Sequence, residues 1–218
     1  PIQTAVIPTI LEGRDVVGQS STGSGKTVAF AIPAIEKTDP KLRAVQVLIL
    51  CPTRELAVQV AEHLTLLGRH RDVQVVAIYG GQPIERQLRV LQRGVQVIVA
   101  TPGRLLDLMS QGLVPLRTVE TFVLDEADRM LDMGFIHDVR KVIAKLPVKK
   151  QTLFFSATLP PEIKKLADGL LHNPVTVATA PVSSTSVNVK QYVYFVPKEN
   201  KKNLLKHILP TTPGHHML

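Results

Sequence analysis

The stretch SSTGSGKT, residues 20–27, lies between a short run of β-branched residues and an apolar helical pattern. Its glycines let backbone N–H groups turn inward around phosphate oxygens, and the following helix adds the positive end of its dipole. Lys26 supplies a charge for the outer phosphates, and the Thr27 hydroxyl can ligate Mg²⁺. The stretch therefore predicts a loop that binds the phosphates of a nucleoside triphosphate.

One position departs from the general pattern of such loops, because Ser20 stands where a glycine is usual. A plain turn rich in Gly and Ser before a helix is the alternative interpretation. The position of the stretch between a predicted strand and a predicted helix favours the phosphate loop, since the mechanism requires that context.

Apolar runs rich in β-branched residues alternate with helical patterns along the chain. The predicted strands cover residues 15–18, 45–51, 73–79, 95–100, 121–124, 152–155 and 175–177. The predicted helices cover residues 26–36, 54–67, 83–92, 103–110, 135–146 and 161–171. Several strands, such as residues 47–50, are apolar on both faces, which is typical of a parallel sheet covered by helices on both sides. The predicted fold class is α/β, with a mostly parallel sheet and helices on both faces.

An acidic cluster, Asp125-Glu126-Ala127-Asp128, follows the predicted strand over residues 121–124. In an open parallel sheet, ligands bind outside the carboxyl ends of the strands, where this order places the acids. Asp125 could hold Mg²⁺ through its water shell, and Glu126 could orient or deprotonate an attacking water. Taken alone, the cluster could equally be a solvated helix start with Asp128 as its N-cap.

The composition limits the classes of protein to which the chain can belong. The chain has 218 residues and one cysteine, Cys51, which excludes an internal disulfide framework and a cysteine-rich zinc site. A reducing compartment such as the cytoplasm is therefore expected. The longest uncharged stretch, residues 169–189, contains prolines and polar residues, so no membrane span and no membrane partner are predicted.

The formal net charge of +8 is compatible with a polyanionic partner but does not identify one. Residues 1–180 hold 21 basic and 17 acidic residues, whereas residues 181–218 hold 5 basic and 1 acidic residue. The small, polar residues 181–189 are predicted to be a linker after a main domain over residues 1–180. Residues 190–218 contain one strand pattern, 190–196, and one helix pattern, 198–209, which together cannot bury a core. They are interpreted as the start of a truncated second domain.

Six short motifs occur in a fixed order: the phosphate loop, then residues 52–57, 80–81, 101–104, 125–128 and 156–158. By these motifs the chain, from residue 1 to about residue 179, resembles the first RecA-like domain of the DEAD-box RNA helicases. The resemblance implies a RecA-like P-loop NTPase fold. It also implies an ATP-dependent RNA helicase activity whose active site is completed by a second RecA-like domain of the same chain.

The resemblance implies ATP and Mg²⁺ as the nucleotide and its metal ion. Gln3 would identify adenine through its side-chain amide. Lys26, Asp125 and Glu126 would be catalytic, and Thr27 and Asp125 would hold Mg²⁺, partly through water. The nucleotide-binding set would be Gln3, Ser21, Thr22, Gly23, Ser24, Gly25, Lys26, Thr27 and Val28.

For RNA, the resemblance implies contacts with the sugar-phosphate backbone that ignore base identity. The residues implied are Pro52, Thr53, Arg54, Gly81, Thr101, Gly103 and Arg104. Without the resemblance, the two arginines could be solvated residues at helix starts, and Thr53 and Thr101 could be plain N-caps. Asp128, Ser156 and Thr158 would couple hydrolysis to strand separation.

The arginine-rich motif of the family's second domain does not occur in these 218 residues. Because an arginine finger contributes roughly 10³ to 10⁵ in rate where it operates, this chain is expected to bind nucleotide and hydrolyse it poorly. Two other classes share the loop and the acids. One is a P-loop ATPase that remodels DNA or protein, and the other is a nucleotide-gated RNA clamp without unwinding.

Overall fold

The computed structural model describes residues 2–21, 23–178 and 192–211. The chain divides into two compact units, residues 1–182 and residues 183–218. The linker predicted over residues 181–189 lies outside the described residues, as does Thr22 of the phosphate loop.

The first unit is built on one sheet, and all of its described strand pairs are parallel. The strands are β1 (Val16–Gln19), β2 (Val47–Leu50), β3 (Val75–Ile78), β4 (Val97–Ala100), β5 (Thr121–Leu124), β6 (Gln151–Ser156) and β7 (Val175–Ala178). Their order across the sheet is β3-β4-β2-β5-β6-β1-β7. The α/β prediction is confirmed, and the sheet is fully parallel rather than mostly so.

Eight helices surround the sheet in the described part of the first unit. They are α1 (Ile2–Leu11), α2 (Lys26–Lys37), α3 (Arg54–Gly68), α4 (Ile84–Gln92), α5 (Pro102–Ser110), α6 (Ala127–Asp132), α7 (Ile136–Ile143) and α8 (Pro161–Leu170). The sequence did not predict α1 or α6. The helix predicted over residues 135–146 is the shorter α7, which begins after the turn at Gly134, with φ of 77°, and ends at Ile143.

Two apolar cores cover the two faces of the sheet. Val47 and Ile49 of β2 pack with α1, α2 and α3, whereas Leu48 and Leu50 pack with the helices from α4 to α8. This division follows from the two-residue period of a strand, which sends successive side chains to opposite faces. Because both faces are covered, the central strands are buried and apolar throughout.

The strand order groups the loops that follow the strands. β5, β6 and β1 are neighbours, so the acidic cluster, the 156–158 segment and the phosphate loop emerge side by side. β3, β4 and β2 are also neighbours, which groups the loops that begin at residues 79, 101 and 51. All of these loops leave the carboxyl edge of the sheet, where open α/β folds bind ligands.

The second unit contains a short 3₁₀ turn, Lys198–Asn200, followed by α9 (Lys201–Thr211). The predicted helix is therefore present, although it begins later than residue 198. The predicted strand over residues 190–196 is absent from residues 192–196, which have no regular secondary structure. A strand needs a hydrogen-bonded neighbour, and an isolated segment is not stable in that form. Residues 190 and 191 lie outside the described part of the chain.

None of the helices in the described ranges is both long enough and apolar enough to cross a membrane.

Gly18 of β1 is predicted to be required for packing of the core. A Cβ atom at this position would lie 2.4 Å from two ring carbons of Phe155, whose side chain is fully buried. Gly18→Ala should lower the free energy of unfolding by about 1–3 kcal/mol, because the ring cannot move without displacing its neighbours. Urea unfolding followed by circular dichroism measures this change.

Gly169→Ala in α8 is the matched control, since a Cβ there has no heavy atom within 4 Å. It should leave stability unchanged or raise it by up to about 0.5–1 kcal/mol. Equal stability of Gly18→Ala and the parent chain would contradict the predicted overlap.

Candidate functional site

The phosphate loop is held by hydrogen bonds between its own residues. Gly23 and Gly25 have φ values of 80° and 87°, which require glycine or strain at these turns. The Ser24 hydroxyl donates to Ser20 Oγ at 2.9 Å, and Lys26 Nζ donates to the Ser20 carbonyl oxygen at 2.9 Å. Gly25 precedes α2, so the loop ends at the positive end of that helix.

The structure explains the serine at the first position of the loop. Ser20 continues β1, and its N–H donates to the Ser156 carbonyl oxygen at 3.3 Å. Its φ is not positive, so no glycine is needed there. Its hydroxyl accepts the hydrogen bond from Ser24, which supplies a contact that glycine could not make.

Gln3 lies in α1 and reaches the phosphate loop. Its side-chain amide donates to the Gly25 carbonyl oxygen at 3.3 Å, and a Cβ on Gly25 would lie 2.5 Å from the Gln3 amide nitrogen. Sequence reasoning missed α1. The signal that could have revealed it is the spacing of Ile2, Val6 and Ile10, which are all buried on one side of the helix.

Asp125 is a buried carboxylate with an unused acceptor. Its side chain follows β5 and is 3% exposed, and its Oδ1 atom has no hydrogen-bond partner. Burial raises the pKa of Asp125 to about 6, against the opposing charge of Lys26, while Glu126 adds to the rise. Asp125 and Lys26 are therefore close enough to interact electrostatically.

Glu126 has an uncommon backbone conformation for a residue with a side chain. Its φ of 52° and ψ of 51° lie in the left-handed region, which costs roughly 1–3 kcal/mol for a residue other than glycine. Its carboxylate accepts from Arg129 at 3.1 Å. Glu126 rather than Asp128 precedes the first turn of α6, so Asp128 is not the N-cap.

Asp128, Ser156 and Thr158 form one hydrogen-bonded cluster. Both the N–H and the hydroxyl of Thr158 donate to Asp128 Oδ2 at 2.8 Å. The Asp128 N–H donates to Ser156 Oγ at 3.1 Å, and that hydroxyl donates to the Thr158 carbonyl oxygen at 2.7 Å. Burial opposes ionisation of Asp128, but the hydrogen bonds from Thr158 and Ser156 outweigh it and hold its pKa below the ordinary value.

The residues predicted to contact RNA surround the ends of β2, β3 and β4. Thr53 is the N-cap of α3, and its hydroxyl accepts from the Leu56 N–H at 3.2 Å. Arg54 is exposed, and its Nε atom donates to Glu55 at 2.6 Å. Pro52 beside them is buried, whereas Thr101 precedes α5 without capping it. The structure thus brings these side chains to one edge of the sheet.

Two arginines, one from the loop after β2 and one from the loop after β4, lie against the loop after β3. The Arg54 guanidinium lies 3.3 Å from where a Cβ of Gly81 would be, and Gly81 has a φ of 82°. Both terminal nitrogens of Arg104 donate to the Gln82 carbonyl oxygen at 3.2 Å. Gly103 beside Arg104 is exposed at the first turn of α5. Sequence reasoning missed Gln82 and Arg129, because a contact partner across two loops leaves no local pattern.

The oxygens of Thr27 and Asp125 fit a magnesium ion that is bound mainly by water and by substrate phosphates. Within residues 2–21, 23–178 and 192–211, no group of three or more His, Cys, Asp or Glu side chains could hold a metal. Asp125 Oδ1 is an unpaired acceptor, and Thr27 is half-buried at the start of α2. Mg²⁺ is usually bound by one or two carboxylates together with water and substrate phosphates, which matches this set. Ser21 is exposed and Val28 half-buried at the same loop.

Comparison with known proteins identifies similar sequences. Residues 1–166 match the model of the DEAD/DEAH box helicase family. The chain is 46% identical over 209 residues to the DEAD-box ATP-dependent RNA helicase CshA of Geobacillus kaustophilus, covering 96% of this chain and 45% of that protein. It is 48% identical over 209 residues to the RNA helicase CrhR of Synechocystis, covering 95% of this chain and 42% of that protein. The chain spans less than half the length of these two relatives.

Solved structures show the same architecture. A DEAD box protein from the hyperthermophile Methanococcus jannaschii superposes with a TM-score of 0.78 at 38% identity, covering 95% of this chain and 56% of that one. The yeast DEAD-box splicing factor Prp28 superposes with a TM-score of 0.80 at 34% identity, covering 97% of this chain and 51% of that one.

Asp125 is predicted to make the chain less stable as the pH rises from about 4 to about 6. Its folded pKa, about 6, is above its ordinary value of 3.8, so the folded state holds the proton in this range while the unfolded state has lost it. Stability therefore falls as the pH rises through this window, by on the order of 2–3 kcal/mol. Asp125→Asn should remove this loss.

Urea unfolding of both chains at pH 4 and pH 7, in buffer with a chelator, measures the effect. Asp125→Asn should gain stability relative to the parent chain between the two values. Asp128→Asn should show no such gain, since the pKa of Asp128 is lowered from 3.8 and its stabilising ionised form is already present over most of this range. A difference between parent and Asp125→Asn that does not change with pH would contradict the assignment.

Proposed function

The chain belongs to the DEAD/DEAH box helicase family, and we propose that it is the half of an ATP-dependent RNA helicase that binds ATP and RNA. The observation that carries the proposal is the strand order. It places the phosphate loop and the acids on one half of the carboxyl edge, and the two arginine-bearing loops on the other half.

ATP is proposed to bind at the phosphate loop. Lys26 is buried against the Ser20 carbonyl, and it would exchange that neutral acceptor for charged phosphate oxygens, which form stronger hydrogen bonds. Gln3 would exchange the Gly25 carbonyl for the edge of adenine, whose donor and acceptor match an amide. The side chains of Lys26 and Gln3 therefore both donate to carbonyl oxygens of the phosphate loop before ATP binds.

Thr27 and Asp125 are the residues that would hold Mg²⁺. When bound, this ion would neutralise charge on the phosphates. Asp125 Oδ1 is the atom that supports this assignment, because a buried acceptor without a partner costs free energy until it is satisfied.

Glu126 is proposed to orient the attacking water and accept its proton. The left-handed backbone of Glu126 supports this role, because strain of this kind is often found at active sites. The ion pair between Glu126 and Arg129 would have to break before the Glu126 carboxylate accepts a hydrogen bond from the water. The remaining catalytic charge would come from a second RecA-like domain in the same chain, so the 218 residues alone are expected to hydrolyse ATP poorly.

RNA is proposed to lie across the loops after β2, β3 and β4. Arg54 and Arg104 would contact phosphates, and exposed backbone at Gly81 and Gly103 would approach the sugars closely. Such contacts do not depend on base identity, so the proposed substrate is single-stranded RNA of any sequence.

The Asp128, Ser156 and Thr158 cluster is proposed to couple the two ligands. Ser156 touches both sides of the nucleotide site, since its carbonyl accepts from Ser20 of the phosphate loop and its hydroxyl accepts from Asp128 beside the acids. A movement of either loop would therefore disturb the same residue.

The buried, unpaired Cys51 fits the expected reducing compartment, the cytoplasm.

Nucleotide binding is predicted to depend on Lys26 and not on Glu126. Lys26→Ala should abolish binding of a fluorescent ATP analogue to this chain with Mg²⁺, because the loop loses its only lysine. Glu126→Gln should keep the affinity of the parent chain, since the amide retains the size of the side chain. In the two-domain protein, Glu126→Gln should stop RNA-stimulated ATP hydrolysis.

Lys41→Ala is the control for loss of one lysine, because Lys41 is exposed after the C-terminal end of α2, whose N-terminal end adjoins the loop. It should bind and hydrolyse as the parent does. Wild-type hydrolysis in Glu126→Gln would disprove the catalytic role of Glu126. Stimulation by single-stranded DNA equal to that by RNA would disprove the proposed substrate.

RNA affinity is predicted to depend on the two arginines of the strand-end loops. Arg54→Ala and Arg104→Ala should each weaken binding of single-stranded RNA and lower the salt dependence, by roughly 0.7 in the slope of log K against log salt per lost phosphate contact. Fluorescence anisotropy at several salt concentrations measures both quantities. Arg117→Ala removes one exposed arginine that precedes β5 at the opposite edge of the sheet, and it should change neither. An unchanged slope in both test variants would contradict the proposed contacts.

A further inference from the structure

A groove lies beside the edge strand β3, between α3 and α4. Its volume is about 580 Å³, and its walls include Val58, Val76 and Val90. Leu66 at its rim is 60% exposed, which is unusual for a large apolar side chain. Among the described strands, β3 pairs with β4 alone, so none of them covers this edge. A flat apolar ligand of the size of a nucleobase would fit this space.

A buried acceptor in the groove has no partner. Gln87 of α4 is 4% exposed, and its amide nitrogen donates to the Tyr79 carbonyl oxygen at 3.0 Å. Its Oε1 atom makes no hydrogen bond. Because an unsatisfied buried acceptor is costly, a ligand that donates a hydrogen bond here would gain affinity.

Two arginines at the groove carry charge that the protein does not neutralise. Arg69 and Arg86 are exposed and line the groove, and neither forms an ion pair within the described ranges. The Arg69 Nε atom donates a hydrogen bond to the neighbouring His70 ring, at 2.9 Å. Glu62 is the one acidic residue of the lining. The positive excess favours an anionic ligand.

The groove shares a loop with the proposed RNA face. Tyr79 and Gln82 line the groove, and the carbonyl oxygen of Gln82 accepts both hydrogen bonds from Arg104. Gln82 also donates to the Tyr79 hydroxyl. Gly81, proposed to contact RNA, lies between these two residues. An RNA strand bound on the Arg104 side would therefore lie next to residues that line the groove.

We propose that the groove between α3 and α4 holds one unpaired nucleotide of an RNA strand that is bound at the strand-end loops. Its base packs against Tyr79 and donates to Gln87 Oε1, and its phosphates contact Arg69 and Arg86. This inference rests on the proposed RNA function and extends the binding site by one base pocket. A nucleotide combines the flat apolar ring, the donor and the anion that the groove matches, and an aromatic side chain is a common stacking partner for bases.

The test measures the affinity of this chain for single-stranded RNAs of about 4 to about 16 nucleotides, by fluorescence anisotropy. In the parent chain, affinity should rise by roughly fivefold or more at the length that first reaches the groove. Arg69→Ala combined with Arg86→Ala, and separately Tyr79→Leu, should remove this increment and leave the affinity for the shortest bound RNA unchanged. Circular dichroism checks that each variant is folded.

Arg117→Ala combined with Arg140→Ala is the control matched in charge, and it should keep the increment. An RNA whose added nucleotides are abasic should show no rise in affinity at this length. The proposal is wrong if the increment survives in the test variants or with the abasic RNA, or if affinity does not change with length. In that last case, binding of short RNA would leave the proposed function standing, whereas absence of binding at every length would reject both.

Discussion

The backbone hydrogen bond from Asp125 N–H to the Leu50 carbonyl oxygen, 3.0 Å long, continues the pairing of β2 with β5 one residue past the end of β5. This bond fixes where the two halves of the carboxyl edge meet. On one side of it lie the acids and the phosphate loop, and on the other side lie the loops with Arg54 and Arg104. Neighbouring strands are only about 4.8 Å apart, and β2 and β5 are parallel and in register at this point. The two groups of loops are therefore adjacent.

Two buried aspartates show how the two edges of the sheet differ. Asp15, before β1, accepts from the N–H groups of Thr152 and His172 at 2.8 and 2.7 Å, so both of its oxygens are satisfied. Asp125, after β5, leaves one oxygen without a partner and has a raised pKa. Asp15 is fully paired, whereas the unsatisfied oxygen of Asp125 lowers stability and is the atom proposed to accept a ligand. Glu126 also lowers stability relative to an ordinary core residue, because its left-handed backbone is strained.

The sequence predicted the strands, the phosphate loop and the acidic cluster because each is local. An apolar run such as residues 47–50 or a Gly-rich turn such as residues 20–27 carries its signal within a few positions. The order of the strands was not predictable, since it depends on which helices cover which face. Contacts across loops, such as Arg104 with Gln82 and Gln3 with Gly25, were missed for the same reason. α1 was missed because Pro8 lies inside it, although its buried residues have the four-residue spacing of a helix.

The position of Cys51 indicates how the two sites can influence each other. Burial raises the pKa of its thiol well above the ordinary value, and the charges of Asp125 and Glu126 raise it further. The charges of the acids therefore act on the residue directly before Pro52, at the start of the loops proposed to bind RNA. If a ligand that neutralises Asp125 changes the affinity of these loops for RNA, linkage requires that RNA changes the affinity for that ligand by the same factor. Proximity alone does not set the size of that factor, which depends on how differently the loops sit in the two liganded states.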